Sequence, residues 1–183
     1  MFYLYLKRVY LRYFIMSDLL DLYEYCSNPY VGPNAGWAPH KNIDESRNIL
    51  VKLINNKECF AIVDTKTNKV IGSIGLYKDF KREHPNCRMI GYVLNPLFWG
   101  KGIMCEVVNG LIDYLFKNTS LTLLSVYHFA WNLKSKRVIE KCGFKYEGII
   151  RGATILYDGS IVDNMCYSLS KEEYKQNINN INN

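Results

Sequence analysis

Gly91-Tyr92-Val93-Leu94-Asn95-Pro96-Leu97-Phe98-Trp99-Gly100-Lys101-Gly102-Ile103-Met104 reads as a strand, a short Pro-containing connection, a glycine turn and the start of a long helix. The helix continues with Val107, Val108, Leu111, Ile112 and Leu115, which recur with Met104 at the spacing of one buried face. A glycine turn that opens a helix aims several free backbone N–H groups at one point. The helix dipole adds partial positive charge there, so a phosphate or pyrophosphate is favoured. Two familiar glycine motifs do not fit. A Walker motif needs Ser or Thr after Gly-Lys, and Gly102 follows Lys101. A dinucleotide fingerprint needs a third glycine, where Cys105 stands.

Outward from this stretch, the pattern is α+β. Val9, Leu11 and Tyr13 alternate with Arg8, Tyr10 and Arg12, which predicts a strand. A helix starts near Ser17-Asp18 and ends before Asn28-Pro29, followed by a Pro- and Gly-rich loop to His40. Asn42-x-x-Glu45 caps a second helix. Residues 58–63 and 70–77 pair as strands, and Gly72 and Gly75 mark a bulge or a close backbone approach. Strands 87–94 and 121–128 each lead into a helix, the second helix stopping at Gly143. Residues 144–157 and 161–169 flank Asp158-Gly159, a two-residue hairpin signal. The expectation is a mixed twisted sheet of about six to seven strands with helices on both faces. It forms one domain over residues 1–174, with a frayed polar tail at 175–183.

A second segment gives the turn its meaning: Ala130-Trp131-Asn132-Leu133-Lys134-Ser135-Lys136-Arg137, running to Gly143-Phe144. Gly-Tyr-x-Leu, Trp-Gly-x-Gly, Asn-x-x-Ser and Gly-Phe occur here in an order and spacing that resemble the GNAT N-acetyltransferase superfamily, most closely its RimJ/RimL-like branch. The likeness runs from about Tyr3 to Tyr174 and is strongest from Ile90 to Arg151.

The resemblance implies the GNAT acyltransferase fold and transfer of acetyl from acetyl-CoA, as co-substrate, to an amine. It places the cofactor's pyrophosphate at Trp99, Gly100, Lys101, Gly102, Ile103 and Met104. Tyr92, Val93 and Leu94 would align the pantetheine arm, a main-chain N–H at Val93 or Leu94 polarising the thioester. Asn132 reads as a helix cap and, by resemblance, as a contact to the cofactor arm; both can hold. Arg137 belongs to a basic cluster suited to phosphate or to solvent, and Ser135 is the candidate to serve the departing sulfur. Trp37 and His40 are candidates for the wall of the amine site.

Three positions depart from the family. Ile139 stands where many relatives have a tyrosine acid, Met89 where many have a glutamate, and Thr154 where some have a glutamate base. The base is therefore open among His40, His128, Glu147 and water, with His128 the residue set beside Ser135 in the catalytic assignment. The expected acceptor is a protein N-terminal amine. The alternatives are a small amine (polyamine, amino acid or aminoglycoside) or a non-catalytic acyl-CoA sensor.

Composition narrows the classes. The 183 residues suit one domain, and the net charge of +6 is modest and diffuse, so no nucleic-acid partner is expected. No RRM-like aromatic pattern occurs. The six cysteines form no Cys-x-x-Cys pair, so neither metal nor disulfide framework is expected, and the thiols suit a cytoplasmic protein. Lys7, Arg8 and Arg12 interrupt the apolar N-terminus, which predicts no membrane span. A monomer or homodimer is expected.

Overall fold

The computed structural model describes residues 2–182. Tyr3–Tyr5 (β1) pairs antiparallel with Val9–Tyr13 (β2). Leu19–Cys26 (α1) and Ile43–Asn56 (α2) follow. Asn42 Oδ1 accepts from the N–H groups of Asp44 and Glu45, and Glu45 reaches back to the Lys41 N–H at 2.7 Å. Cys59–Asp64 (β3), Val70–Tyr77 (β4) and Cys87–Leu94 (β5) are antiparallel neighbours. Then come Ile103–Asn118 (α3), Leu123–His128 (β6) and Leu133–Lys141 (α4). Lys145–Ile155 (β7), Ile161–Ser170 (β8) and Lys171–Asn182 (α5) close the chain.

The fold is α+β, a single mixed sheet in the order β1-β2-β3-β4-β5-β6-β8-β7. It has eight strands, more than the sequence pattern predicts, because the three residues of β1 carry too little periodicity to be read locally. Among the described residues only β5 and β6 pair in parallel. Helices cover both faces. Leu22, Tyr25, Cys26 and Leu50 of α1 and α2 pack on Ala61, Val63 and Val70. On the other face, Val107, Val108, Leu111 and Leu115 of α3 and Ile139 of α4 pack on Leu11, Ile62, Ile74, Ile90, Leu124 and Val126.

Two local expectations need correction. Residues 175–182 are helical rather than frayed, because Ser170 and Glu173 form a capping box: Glu173 N–H donates to Ser170 Oγ at 3.2 Å, and Ser170 N–H to Glu173 Oε2 at 2.9 Å. Asn183 lies outside the described residues. The β7–β8 turn is also longer than two residues. Leu156 N–H donates to Ser160 O and Gly159 N–H to Leu156 O, leaving Tyr157-Asp158-Gly159 as a three-residue loop with Gly159 at φ 85°.

The bulge expected near Gly72 is present, since Ile62 pairs with Gly72 while Val63 pairs with Val70. The close approach is present too. A Cβ on Gly72 would sit 2.4 Å from the Val93 carbonyl oxygen and 3.0 Å from Leu94 Cα. Both are backbone atoms of β5, which cannot yield without moving the strand. Gly72→Ala is expected to cost about 2–3 kcal/mol in urea unfolding; unchanged stability would show that β5 moves freely.

Candidate functional site

Beyond Ile90, β5 and β6 part. Their parallel register runs from Cys87↔Leu123 to Ile90↔Val126 and stops. β5 continues to Leu94 paired only with β4, while Tyr127 and His128 of β6 stay with β8. One backbone edge of residues 92–94 therefore opens onto a groove of about 430 Å³. Its walls are the end of β5, the glycine turn, the first turns of α3 and α4, and the loop containing Tyr30, Asn34 and Ala35.

The turn is held by conformation and by a distant clamp. Gly100 and Gly102 have φ of 73° and 74°, a region that costs other residues strain. The first helical bond of α3 runs from Glu106 N–H to Gly102 O at 3.1 Å. Among the described residues, the N–H groups of Ile103, Met104 and Cys105 have no partner, and no side chain caps this end. Arg8 fixes the turn from β2's leading edge: its Nη1 donates to Lys101 O at 2.6 Å and its Nε pairs with Glu106 Oε2 at 2.7 Å. Arg8 N–H also donates to Glu106 Oε1 at 2.7 Å. Trp99 Nε1 donates to Leu94 O at 2.8 Å, and Lys134 Nζ lies 3.8 Å from the Trp99 ring centroid. This cation–π contact ties α4 to the turn.

Asn132 does two jobs. Its Oδ1 accepts from Ser135 N–H at 3.0 Å, capping α4, and its Nδ2 donates to Asn34 O at 3.0 Å, fixing the loop above the groove. Ser135 Oγ lies 2.9 Å from Tyr92 Oη. Burial pushes the Tyr92 phenol above its ordinary pKa, so it is protonated throughout the neutral range. Lys134, Arg137 and Lys141 give the groove positive charge, and among the described residues no carboxylate or imidazole lines it.

The groove thus brings together Tyr92, Val93, Leu94, Trp99, Gly100, Gly102, Ile103, Met104, Asn132, Ser135 and Arg137. Lys101 does not line the groove: its carbonyl accepts from Arg8 and its Nζ sits over the Phe98 ring. Three further candidates lie elsewhere. Trp37 folds back on the loop, its N–H donating to Gly32 O and its ring packed on the α1–α2 core. His40 Nδ1 is 2.7 Å from Ser46 Oγ, and burial lowers its pKa, which leaves it neutral and engaged. His128 is buried; its Nδ1 donates to the Phe129 carbonyl at 2.8 Å, and its Nε2 has no partner among the described residues. It faces the interior because Leu124, Val126 and His128 share the sheet face covered by α3 and α4.

Glu147 is also committed. It pairs with Arg82, while Ser168 Oγ donates to the other carboxylate oxygen at 2.8 Å. The same Arg82 pairs with buried Asp79 at 3.2 Å. Asp79 Oδ2 accepts from Ser125 and Tyr127, each at 2.5 Å. Burial alone would raise Asp79, but the two hydroxyls, the Lys81 N–H and Arg82 more than offset it, holding the carboxyl below its usual range. Neither carboxylate is a ready base. Arg8, Glu106 and Asn34 carry no local signal of their part in the site, whereas Lys134 belongs to the basic cluster with Arg137 that suits phosphate or solvent.

A profile of the acetyltransferase (GNAT) domain matches residues 8–145. The uncharacterised N-acetyltransferase p20 of Bacillus licheniformis is 29% identical over 180 residues, covering 93% of this chain and 97% of its own. A ribosomal-protein-S5-alanine acetyltransferase from Vibrio fischeri superposes with a TM-score of 0.75 at 23% identity, over 94% of this chain and 98% of that one. A spermidine N-acetyltransferase from Vibrio cholerae, solved with CoA and spermine, also gives 0.75, at 20% identity over 92% and 98%. One fold thus serves acceptors of both kinds, and these two likenesses speak for the fold alone.

Proposed function

We propose, from the premise that this chain belongs to the GNAT acetyltransferase family, that it moves the acetyl group of acetyl-CoA to the α-amine of a protein N-terminus. That it is an N-acetyltransferase follows from the family. The observation that carries the cofactor reading is the single groove in which the open edge of β5, the unpartnered N–H groups of α3 and three cations converge. Acetyl-CoA supplies the activated acyl group. Ile103, Met104 and Cys105 N–H would receive its pyrophosphate, with Arg137 and Lys141 adding charge. The β5 edge would hold the pantetheine arm, and Ser135 would face the sulfur. Fixing the thioester beside the amine supplies the orientation that solution lacks.

The surroundings of the candidate bases support this reading of the acceptor. Glu147 is paired, His40 is bonded to Ser46, His128 is turned inward, and among the described residues the groove is lined by no carboxylate or imidazole, its polar side chains being hydroxyls, amides, cations and the Cys105 thiol. Water then carries the amine's proton away, and the amine must already be neutral when it arrives. An α-amine titrates near 8 and an alkyl amine near 10.4, so at neutral pH the α-amine has about 300-fold more of its reactive form. Cationic walls also disfavour a polyamine. Thiol release with an N-terminally free peptide, an N-acetylated lysine peptide and spermidine tests this. The free α-amine is expected to win, with kcat/KM rising with pH along the acceptor's own titration. Faster turnover of spermidine would overturn the reading, and acetyl-CoA binding without any turnover would support the sensor instead.

A further inference from the structure

The Tyr92–Ser135 contact joins two elements that the function so far uses separately. Tyr92 stands on β5, locked in register opposite Ile74, and its ring packs into the main core. Its Oη lies 2.9 Å from Ser135 Oγ and 3.3 Å from Ser135 O. The carbonyl already sits in the helical ladder of α4, so Oγ is the nearer and freer acceptor. A serine hydroxyl has one proton and two lone pairs. Among the described residues Tyr92 is the only side-chain partner of Ser135 Oγ, and no backbone carbonyl takes its proton. Ser135 lines the groove, so once Tyr92 fills one lone pair its own O–H is directed there.

We propose that Tyr92 is a positioning residue: its phenol donates to Ser135 Oγ and thereby aims the serine O–H at the departing sulfur of the thioester. This rests on the acetyl-CoA reading of the groove. The amine nitrogen bonds to the acetyl carbon, and the C–S bond breaks with its electron pair passing to sulfur. Nitrogen loses one proton to water and sulfur gains one from water, so the hydroxyl pair supplies hydrogen bonds and no net proton. The phenol can play this part because it does not ionise in the working range. Without it, the serine hydroxyl is free to turn back onto its own helix, as serines in helices do.

The test uses Tyr92→Phe, Ser135→Ala and the double variant of the full chain, with free CoA as the probe. The ultraviolet absorbance of the thiolate reads the pKa of the bound CoA thiol, which needs no amine acceptor. In the wild type it is expected about one unit below that of free CoA, and each single variant is expected to restore it. The double variant should match Ser135→Ala alone, the signature of one coupled unit. In turnover with an N-terminal peptide, Tyr92→Phe should lower kcat about tenfold with the KM for acetyl-CoA unchanged. A thiol pKa and kcat unmoved by Tyr92→Phe, or additive effects of the two variants, would overturn the proposal and leave the cofactor reading intact. Failure of the wild type to bind CoA would overturn both.

Discussion

Gly102→Glu is expected to lower acetyl-CoA affinity on the order of 100-fold, by calorimetry on a protein that remains folded. Two effects combine. Gly102 sits at φ 74°, where any side chain costs about 1–2 kcal/mol of strain. Space is not the obstacle: a Cβ there would meet only the Arg8 guanidinium, at 3.7 Å. The larger effect is electrostatic. The new carboxylate would stand at the N-terminus of α3, within reach of Arg8 and of the unpartnered N–H groups. It would satisfy those donors in place of the pyrophosphate and repel it. Gly102→Ala separates the two contributions. It should lose stability but keep most of the affinity, so equal losses in both variants would show that the turn's shape, and not its charge, governs binding. Undiminished affinity in folded Gly102→Glu would remove the phosphate site from α3.

Arg82→Met is expected to destabilise the protein by about 3 kcal/mol, measured by urea unfolding. Arg82 answers two carboxylates on the sheet face away from α3. Asp79 is only 3% exposed and Glu147 is partly exposed, so most of the loss falls on Asp79. Ser125 and Tyr127 would still donate to Asp79, which keeps the cost below that of a bare buried charge. The pH dependence has a definite sign. Asp79 is held below its ordinary value, so its contribution is present above about pH 4 and is lost as pH falls through the folded pKa. The wild type should therefore lose stability below about pH 4, and Arg82→Met should show a shallower acid limb. A variant as stable as the wild type, with the same acid limb, would show that Arg82 is dispensable to this network.

What could be read from the residues was what their chain neighbours determine. Strand, connection, turn and helix from Gly91 to Leu115 are written in alternation, two glycines and a helical apolar stripe, each settled within a few residues. Ser170-x-x-Glu173 is equally local, but the Asn-rich tail beyond it reads as polar and unstructured. The three-residue loop at Tyr157-Asp158-Gly159 shows the limit of a dipeptide signal: Asp-Gly marks a turn, but strand pairing decides its length.

The sequence by itself determined the α+β class, the glycine turn at Gly100–Gly102 and the cap at Asn132, because backbone conformation and helix capping depend on residues one turn apart. Tertiary structure alone decided which side chains meet. Arg8 clamps Lys101 and Glu106 from 93 and 98 positions away, Tyr92 reaches Ser135 across 43, and Arg82 takes Glu147 across 65. It also turned His128 inward and left the groove, among the described residues, without a carboxylate or imidazole in its lining. The Arg82–Glu147 and Tyr92–Ser135 contacts depend on the order β5-β6-β8-β7 and on the parting of β5 and β6 after Ile90, and the Arg8 clamp on α3 lying across the sheet to β2. Strand order is settled by packing the whole sheet between two layers of helices, and a local pattern in the chain carries no record of it.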